Sequence, residues 1–286
     1  MIKRDNNKKQ SYSFEIFPPK KTSNFSSVAD VITNLCELQP SYISVTYGAG
    51  GSIRNNHTVE LCKMIKSVSD IPPVAHLTCV GANYSDIDEI LEQLELNGIK
   101  NVLALRGDLP QEGKVEGDFL YASELVKYIN IKYPNEFNIS CACYPTGHIE
   151  SPTQKDDIFN LRNKVNQGAK ELITQMFFDN NEFYKFYELC DIAQINVPIS
   201  AGIMPLTNIR QINRIISMSG ATLPSTLNKS IAKYGENDHA MMDAGIAFAT
   251  QQIIDLLANG VDGIHLYTMN NVEVAKRITE NVKSLF

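Results

Sequence analysis

The chain has 286 residues, 43% of them hydrophobic and 20% charged, and a formal net charge of −6. This length and composition are typical of a globular protein whose core needs no disulfides, folded either as one α/β barrel or as two smaller domains. No block of Lys and Arg lies beyond residues 3–9, no eighteen apolar residues run together and no secretion signal opens the chain, so we expect a cytoplasmic protein that binds neither nucleic acid nor a membrane.

Short apolar runs alternate with segments of helical periodicity after residues 1–10, which we predict to be a flexible N-terminal segment. Eight of the runs have the length and β-branched content of strands. The predicted strands are Tyr12–Phe17, Tyr42–Thr46, Val74–Thr78, Asn101–Arg106, Asn138–Cys143, Leu172–Phe177, Ile199–Ile203 and Gly263–Tyr267. The predicted helices are residues 25–38, 57–68, 85–97, 120–132, 154–167, 181–194, 208–218, 239–259 and 272–283.

The strands are apolar on both faces, which suits a parallel sheet covered by helices. Right-handed crossovers repeated eight times close such a sheet into a barrel. Glycine follows Asn97, Gln167 and Asn259 at the ends of three predicted helices, where it supplies a left-handed turn. We therefore predict an α/β chain that forms a single (β/α)8 TIM barrel over residues 11–286, with an open doubly wound sheet as the alternative.

In a TIM barrel the reactive side chains lie at the carboxyl ends of the strands. The polar and reactive residues at or near the predicted strand ends, with Ala49 and Gly107 beside them, are Glu15, Thr46, Tyr47, Ala49, His76, Thr78, Arg106, Gly107, Asp108, Tyr144, His148, Gln175, His265 and Tyr267. Glu15 stands out because a carboxylate within an apolar strand is costly to bury unless it is paired or protonated, and burial raises its pKa toward the range of a general acid. The alternative for Glu15 is a salt-bridged structural role.

Arg106-Gly107-Asp108 follows the fourth predicted strand, where it favours a ligand contact. Arginine can donate to anionic or carbonyl oxygens, and aspartate can accept from NH groups. A tight loop with a surface ion pair is the other interpretation. An adhesion tripeptide would require secretion, for which the sequence carries no signal.

The helix after the fifth predicted strand carries Asp157, Asn160 and Lys164 on one face, opposite an apolar face that would pack on the barrel. A solvated polar stripe accounts for this pattern without any ligand. Together with Tyr144 and His148, however, the stripe predicts a surface for a ribose and a diphosphate, because lysine can neutralise phosphate and aspartate can accept from sugar hydroxyls.

Several common signatures are absent from the sequence, including GxGxxG, the P-loop and HExxH. No lysine lies inside a predicted strand, which argues against a Schiff-base aldolase. The six cysteines form no CxxC pair and are predicted to be reduced thiols in the core.

Six segments at these strand ends, in order, resemble the bacterial methylenetetrahydrofolate reductases. They are residues 13–19 (SFEIFPP), 45–49 (VTYGA), 75–79 (AHLTC), 104–110 (ALRGDLP), 173–179 (ITQMFFD) and 265–270 (HLYTMN). The resemblance implies a flavoenzyme that uses FAD, with NADH or NADPH as hydride donor, to reduce methylenetetrahydrofolate. It also implies no metal and a homo-oligomer.

By this resemblance Glu15 corresponds to the general acid of the family, and Asp108 to the aspartate that lies beside the flavin and binds the pterin. Gln175 corresponds to a glutamine that contacts both folate and nicotinamide, and Gln211 to a further folate contact. The residues implied to bind FAD are Thr46, Tyr47, Ala49, His76, Arg106, Gly107, Asp108, Ala122, Tyr144, His148, Asp157, Asn160 and Lys164.

Three positions depart from the enterobacterial pattern. Asn163 stands in place of an Arg near the FAD diphosphate, Asn271 in place of an Arg near the folate tail, and Ile215 in place of a Phe near the aminobenzoate. Two other classes of function remain open from the residues alone. One is a metal-assisted barrel hydrolase or aldolase that uses His76, Asp108 and His148, and the other is a catalytically silent folate-binding or flavin-storage protein.

Overall fold

The computed structural model describes residues 9–19, 25–47, 57–109, 116–219 and 223–286. Ala49 and residues 1–8 of the predicted flexible segment lie outside these ranges. Gln10 lies within them, and its Nε2 donates a hydrogen bond to the carbonyl oxygen of Val261 at 2.7 Å.

Eight parallel strands close into a barrel in chain order. This topology confirms the predicted (β/α)8 fold and excludes the open doubly wound sheet. The strands are β1 (Ser11–Ile16), β2 (Ile43–Val45), β3 (Pro73–Thr78), β4 (Asn101–Leu105), β5 (Asn138–Cys143), β6 (Glu171–Thr174), β7 (Ile199–Ile203) and β8 (Gly263–Tyr267).

Helices surround this barrel in the described part of the chain. They are α1 (Phe25–Cys36), α2 (His57–Val68), α3 (Tyr84–Leu96), α4 (Ala122–Lys132), α5 (Gln154–Asn166), α6 (Asn180–Ile192), α7 (Ile209–Ser219), α8 (Ser225–Tyr234), α9 (Asp238–Ala258) and α10 (Val272–Val282), the last followed by a 3₁₀ turn at Lys283–Leu285. The helix α8 has no counterpart among the predicted helices. Leu227 and Ile231 have the i, i+4 spacing of a helix and pack in one apolar cluster, a signal too short to be recognised from the sequence.

Three predicted strands are longer than the real ones, and the first of them, β2, spans only Ile43–Val45. β4 ends at Leu105 and β6 at Thr174, so Arg106 and Gln175 lie in the loops that follow rather than in strands. The pairing of β5 with β6 ends at Cys143 and Thr174, after which the backbone N–H of Gln175 makes one last bond to the Cys143 carbonyl. Both side chains consequently sit above the rim of the barrel.

The main apolar core lies between the strands and their helices and includes Phe14, Ile43 and Leu61. A second apolar cluster, with Leu206, Ile212 and Leu227, lies where α7, α8 and α9 meet. The six cysteines are all free and buried, as predicted. No helix in the described ranges is long and apolar enough to cross a membrane.

Candidate active site

The end of β1 is clamped to the turn after β8, and this clamp fixes Glu15. The hydroxyl of Thr268 donates to the Glu15 carbonyl oxygen at 2.6 Å. Asn270 then pairs with Phe17 through both groups of its amide, accepting from the backbone N–H at 3.0 Å and donating to the carbonyl at 2.9 Å. The backbone of Glu15 is therefore held from a segment at the far end of the sequence.

The carboxylate of Glu15 lies between two imidazoles at the carboxyl end of the barrel. Its Oε2 is 3.4 Å from Nε2 of His76 and 3.6 Å from Nε2 of His265, and one fifth of the side chain is exposed. Within the described residues no Lys or Arg forms an ion pair with Glu15. Its recorded ion-pair partners in the described part of the chain are the two imidazoles, so any salt bridge of Glu15 there depends on a protonated histidine.

His265 connects Glu15 to a polar layer inside the barrel. The ring is fully buried, with Nδ1 2.7 Å from the Ser13 hydroxyl oxygen and Nε2 3.2 Å from that of Ser44. Tyr42 stacks beside it at a centroid distance of 5.7 Å. The sequence places His265 near the strand ends but assigns it no role. Residues two positions apart in a strand lie on the same face of the sheet. The sequence could therefore have placed Ser13 with Glu15 on one inner face, and His265 with Tyr267.

His76 is almost completely buried, and burial lowers the pKa of its imidazole to about 4. Its Nε2 faces Glu15 off the hydrogen-bond direction and has no hydrogen-bond partner. The ring is therefore neutral at neutral pH. A buried nitrogen without a partner is costly, and it is available to a bound ligand.

We expect His76 to make the folded chain less stable as the pH falls. The pKa of the buried ring is about 4, against 6.5 for the exposed ring, so unfolding takes up a proton between these values. The free energy of unfolding is therefore unaffected by the titration of His76 above pH 6.5. It declines as the pH falls from 6.5 toward 4, by at most about 1.4 kcal/mol per pH unit. Urea unfolding of His76→Gln across this range should show a shallower loss of stability than the wild type.

The matched control for this comparison is His239→Gln, which removes an imidazole that is 84% exposed on α9. This variant should stay close to the pH dependence of the wild type, because the ion pair of His239 with Asp243 is exposed and contributes little to stability. A His76→Gln chain whose unfolding free energy declines with pH as steeply as the wild type would show that His76 does not carry the effect.

Tyr267 reaches across the barrel, where its hydroxyl donates to the Thr174 carbonyl oxygen at 2.7 Å. Burial, followed by the nearby Glu15 carboxylate, raises the pKa of this phenol well above its usual value. Gly202 on β7 leaves the room for this contact, because a methyl group there would meet the same carbonyl oxygen at 2.2 Å and the phenol oxygen at 2.7 Å. Tyr267 therefore acts as a neutral brace at the top of the barrel.

The loop after β4 presents Arg106, Gly107 and Asp108. Arg106 makes a two-pronged ion pair with Glu150 in the loop after β5, at 2.5 and 2.7 Å, so the predicted surface ion pair exists but with a residue that the sequence did not indicate. Gly107 has a φ of +88°, which other residues rarely adopt, and a side chain there would lie only 3.0 to 3.3 Å from Val80 and Thr78. Asp108 is exposed beyond it.

The loop after β5 and the first half of α5 form the neighbouring wall. Tyr144 and His148 meet edge to face at 4.6 Å. Asp157 braces this loop by accepting from the His148 backbone N–H at 3.3 Å and from the Ser151 hydroxyl at 3.2 Å. Lys164 points toward the strand, where it donates to the Ala142 carbonyl oxygen at 2.6 Å.

The remaining predicted site residues lie around the same end of the barrel. Thr46 and Tyr47 follow β2, Ala122 begins α4, and Asn160 is exposed on α5. Gln175 is exposed, and its Oε1 accepts from the backbone N–H of Met176. Gln211 lines a cavity of about 250 Å³ together with Thr207, Tyr267, Thr268, Met269 and Asn271. Among the described residues, no three His, Cys, Asp or Glu side chains are grouped closely enough to hold a metal ion.

The model of one protein family, methylenetetrahydrofolate reductase, matches residues 1–283. The chain belongs to the methylenetetrahydrofolate reductase family. The 5,10-methylenetetrahydrofolate reductase of Escherichia coli is 34% identical over 93% of this chain and 88% of its own length, and that of Pectobacterium carotovorum is 33% identical over the same shares. This family membership confirms the resemblance seen in the strand-end segments.

Longer members of the methylenetetrahydrofolate reductase family match the same region. Methylenetetrahydrofolate reductase (NADH) 1 of Arabidopsis thaliana is 36% identical over 91% of this chain, which spans 46% of that relative. The chain thus spans about half the length of the plant relatives it matches. A solved structure from Clostridium thermocellum, described as an uncharacterized protein that binds two copies of 5-methyl-5,6,7,8-tetrahydrofolic acid, has a TM-score of 0.66 over 98% of both chains at 14% identity and shares the fold.

Proposed function

We propose that this chain reduces 5,10-methylenetetrahydrofolate to 5-methyltetrahydrofolate, using FAD and NADH or NADPH, and so supplies methyl groups for methionine synthesis. The observation that carries the proposal is Glu15, a carboxylate at the catalytic end of the barrel of a methylenetetrahydrofolate reductase family member. It lies against two imidazoles, 3.4 and 3.6 Å away, and part of it is open to a ligand. This position supports the proposal because a carboxylate that is open to a ligand can pass a proton to it.

The residues at this end of the barrel fit FAD. Nε2 of His76 is a buried polar atom without a partner, and the site offers Arg106 as a cation beside the Tyr144 and His148 pair. The residues that would hold the cofactor are Thr46, Tyr47, Ala49, His76, Arg106, Gly107, Asp108, Ala122, Tyr144, His148, Asp157, Asn160 and Lys164. Bound FAD supplies hydride transfer between the two substrates, which use the site in turn.

Glu15 would act on the folate by donating a proton to N10, directly or through water. Protonation makes N10 a leaving group, so the bond from N10 to the bridging carbon breaks and that carbon can then accept a hydride. Thr268 and Asn270 keep the end of β1 in place while Glu15 acts. Deprotonated Glu15 is restored by proton uptake from water at its exposed edge.

Asp108 and two glutamines would bind and orient the folate. Asp108 is exposed at the rim, where its carboxylate can accept from the amino and ring NH groups of a pterin. Its negative charge also favours the positive charge that develops as the folate ring opens. Gln211, which lines the cavity of about 250 Å³, would contact the part of the folate beyond the pterin.

The test of this proposal is an anaerobic titration of the purified protein, reconstituted with FAD. NADH or NADPH should bleach the absorbance of the oxidised flavin, and methylenetetrahydrofolate should then restore it with formation of methyltetrahydrofolate. A protein that stays colourless after reconstitution would remove the proposal. A protein that is yellow but inert to methylenetetrahydrofolate would be the catalytically silent binding protein instead.

The replacement Gln175→Glu should impair the reaction with nicotinamide and the reaction with folate together. An amide can donate to one ligand and accept from the other, whereas a carboxylate at the same position only accepts and adds a charge. Gln175 is exposed, so the fold should tolerate the change. The control Gln251→Glu places the same charge on an exposed position of α9 and should affect neither reaction. Loss of only one half-reaction would refute the idea of a shared contact.

A further inference from the structure

The ion pair of Arg106 and Glu150 joins two loops of the cofactor site. Nη1 of Arg106 is 2.5 Å from Oε2 of Glu150, and Nη2 is 2.7 Å from Oε1. The pair links the loop after β4 to the loop after β5, across 44 positions of the sequence. A carboxylate therefore occupies the edge of the guanidinium that an anionic ligand would use in the same two-pronged way.

The two partners differ in how freely they can move. The side chain of Arg106 is 20% exposed, whereas that of Glu150 is 48% exposed. Glu150 also follows Ile149, which is 85% exposed, so this part of the loop has little packing of its own. The glutamate can turn into water at small cost because half of its side chain is already exposed, whereas most of the Arg106 side chain is buried.

FAD carries two negatively charged phosphates, and Arg106 is among the residues proposed to bind it. Glu150 and a phosphate on the same guanidinium would repel each other, and Glu150 would lose its ion pair with Arg106. We propose that Glu150 is an internal competitor for Arg106 that FAD must displace, so that Glu150 weakens FAD binding. This inference rests on the proposed function, since it takes FAD as the ligand.

The replacement Glu150→Gln removes the charge and keeps the size of the side chain. The dissociation constant of FAD should fall about 5-fold, or about 1 kcal/mol, which is the upper range for breaking an exposed ion pair. Titration of the FAD-free protein into FAD, followed by quenching of flavin fluorescence, measures this constant without turnover.

Glu136→Gln is the matched control. Glu136 pairs with Lys100 at 2.8 Å, its side chain is also 48% exposed, and it lies just before β5 at the opposite end of the barrel. Its removal changes the net charge equally, so its effect on the dissociation constant should stay within about twofold because distant surface charges are screened. The gain from Glu150→Gln should also disappear in an Arg106→Gln background, since Glu150 acts through Arg106.

Three results would overturn the inference. One is FAD affinity that is unchanged or lower in Glu150→Gln, which would mean that the glutamate orients Arg106 for the cofactor. Another is an equal gain in FAD affinity in Glu136→Gln. The third is a gain in FAD affinity from Glu150→Gln that persists in the Arg106→Gln background. Either the second or the third result would mean that FAD affinity responds to the net charge of the protein and not to the ion pair. Absence of FAD binding in every variant, wild type included, would instead reject the proposed function and this inference with it.

Discussion

Replacing Glu15 by Gln should lower the rate of folate reduction by about 10²- to 10⁴-fold and leave the reduction of FAD by NADH or NADPH near the wild-type rate. Hydride transfer from nicotinamide to flavin needs no proton from the protein on a substrate nitrogen, whereas opening of the folate ring does. Glutamine keeps the shape of the side chain between His76 and His265 but has no acidic proton to give. Stopped-flow absorbance of the flavin separates the two half-reactions.

Glu171→Gln is the matched control for this experiment. Glu171 is the first residue of β6, so it lies at the opposite end of the barrel, where it accepts hydrogen bonds from Tyr42 and Ser200. An amide oxygen can still accept from both hydroxyls, and both half-reactions should stay near the wild-type rates. If Glu15→Gln reduced folate as fast as the wild type, Glu15 would not be the acid. Equal loss in both half-reactions would assign Glu15 a structural role.

A second large effect is expected for Gly202→Ala, which should lower the free energy of unfolding by about 1 to 3 kcal/mol. The added methyl group would lie 2.2 Å from the Thr174 carbonyl oxygen and 2.7 Å from the phenol oxygen of Tyr267. Neither contact is possible without moving β6 or the ring, so the brace at the top of the barrel must shift. Urea unfolding measures the loss, and turnover should fall with it.

Tyr267→Phe tests the hydrogen bond of Tyr267 separately from the steric clash that Gly202→Ala would cause. This variant keeps the ring and loses the hydrogen bond to Thr174, which should cost about 1 kcal/mol of stability. It should therefore be less destabilised than Gly202→Ala. A Gly202→Ala protein with the unfolding midpoint of the wild type would show that the strands accommodate the methyl group, and the argument from close packing would then be wrong.

The order of the strands and the identity of the polar residues at their ends could be predicted, because a β-branched run and the residue after it are local signals. The residues that those polar side chains contact could not be predicted. The sequence does not indicate that Glu150 pairs with Arg106, since their contact joins two loops that are 44 positions apart. The lengths of the strands also depend on tertiary pairing, which is why Gln175 falls just outside β6 although it continues an apolar run.

Other features had no clear sequence signal for a different reason. Helix α8 is ten residues long, and only Leu227 and Ile231 of its residues pack in the second apolar cluster, so its periodic signal is weak. The inner layer of Ser13, Ser44 and His265 consists of small or polar residues that satisfy one another across three strands. Composition and periodicity reveal the apolar residues that strands bury against helices. They do not reveal polar contacts of this kind inside a barrel.

The clamp between the turn after β8 and the end of β1 also affects the order of events in folding. Asn270 and Phe17 are 253 positions apart, as are Thr268 and Glu15, which makes these contacts among the longest-range in the chain. Contacts of such separation close large loops and form late. During synthesis, Glu15 emerges from the ribosome 253 positions before Thr268, so its backbone is held only after β8 has been made. Placement of Glu15 is thereby tied to completion of the barrel, and folding intermediates that lack the β1–β8 seam carry an unpositioned Glu15.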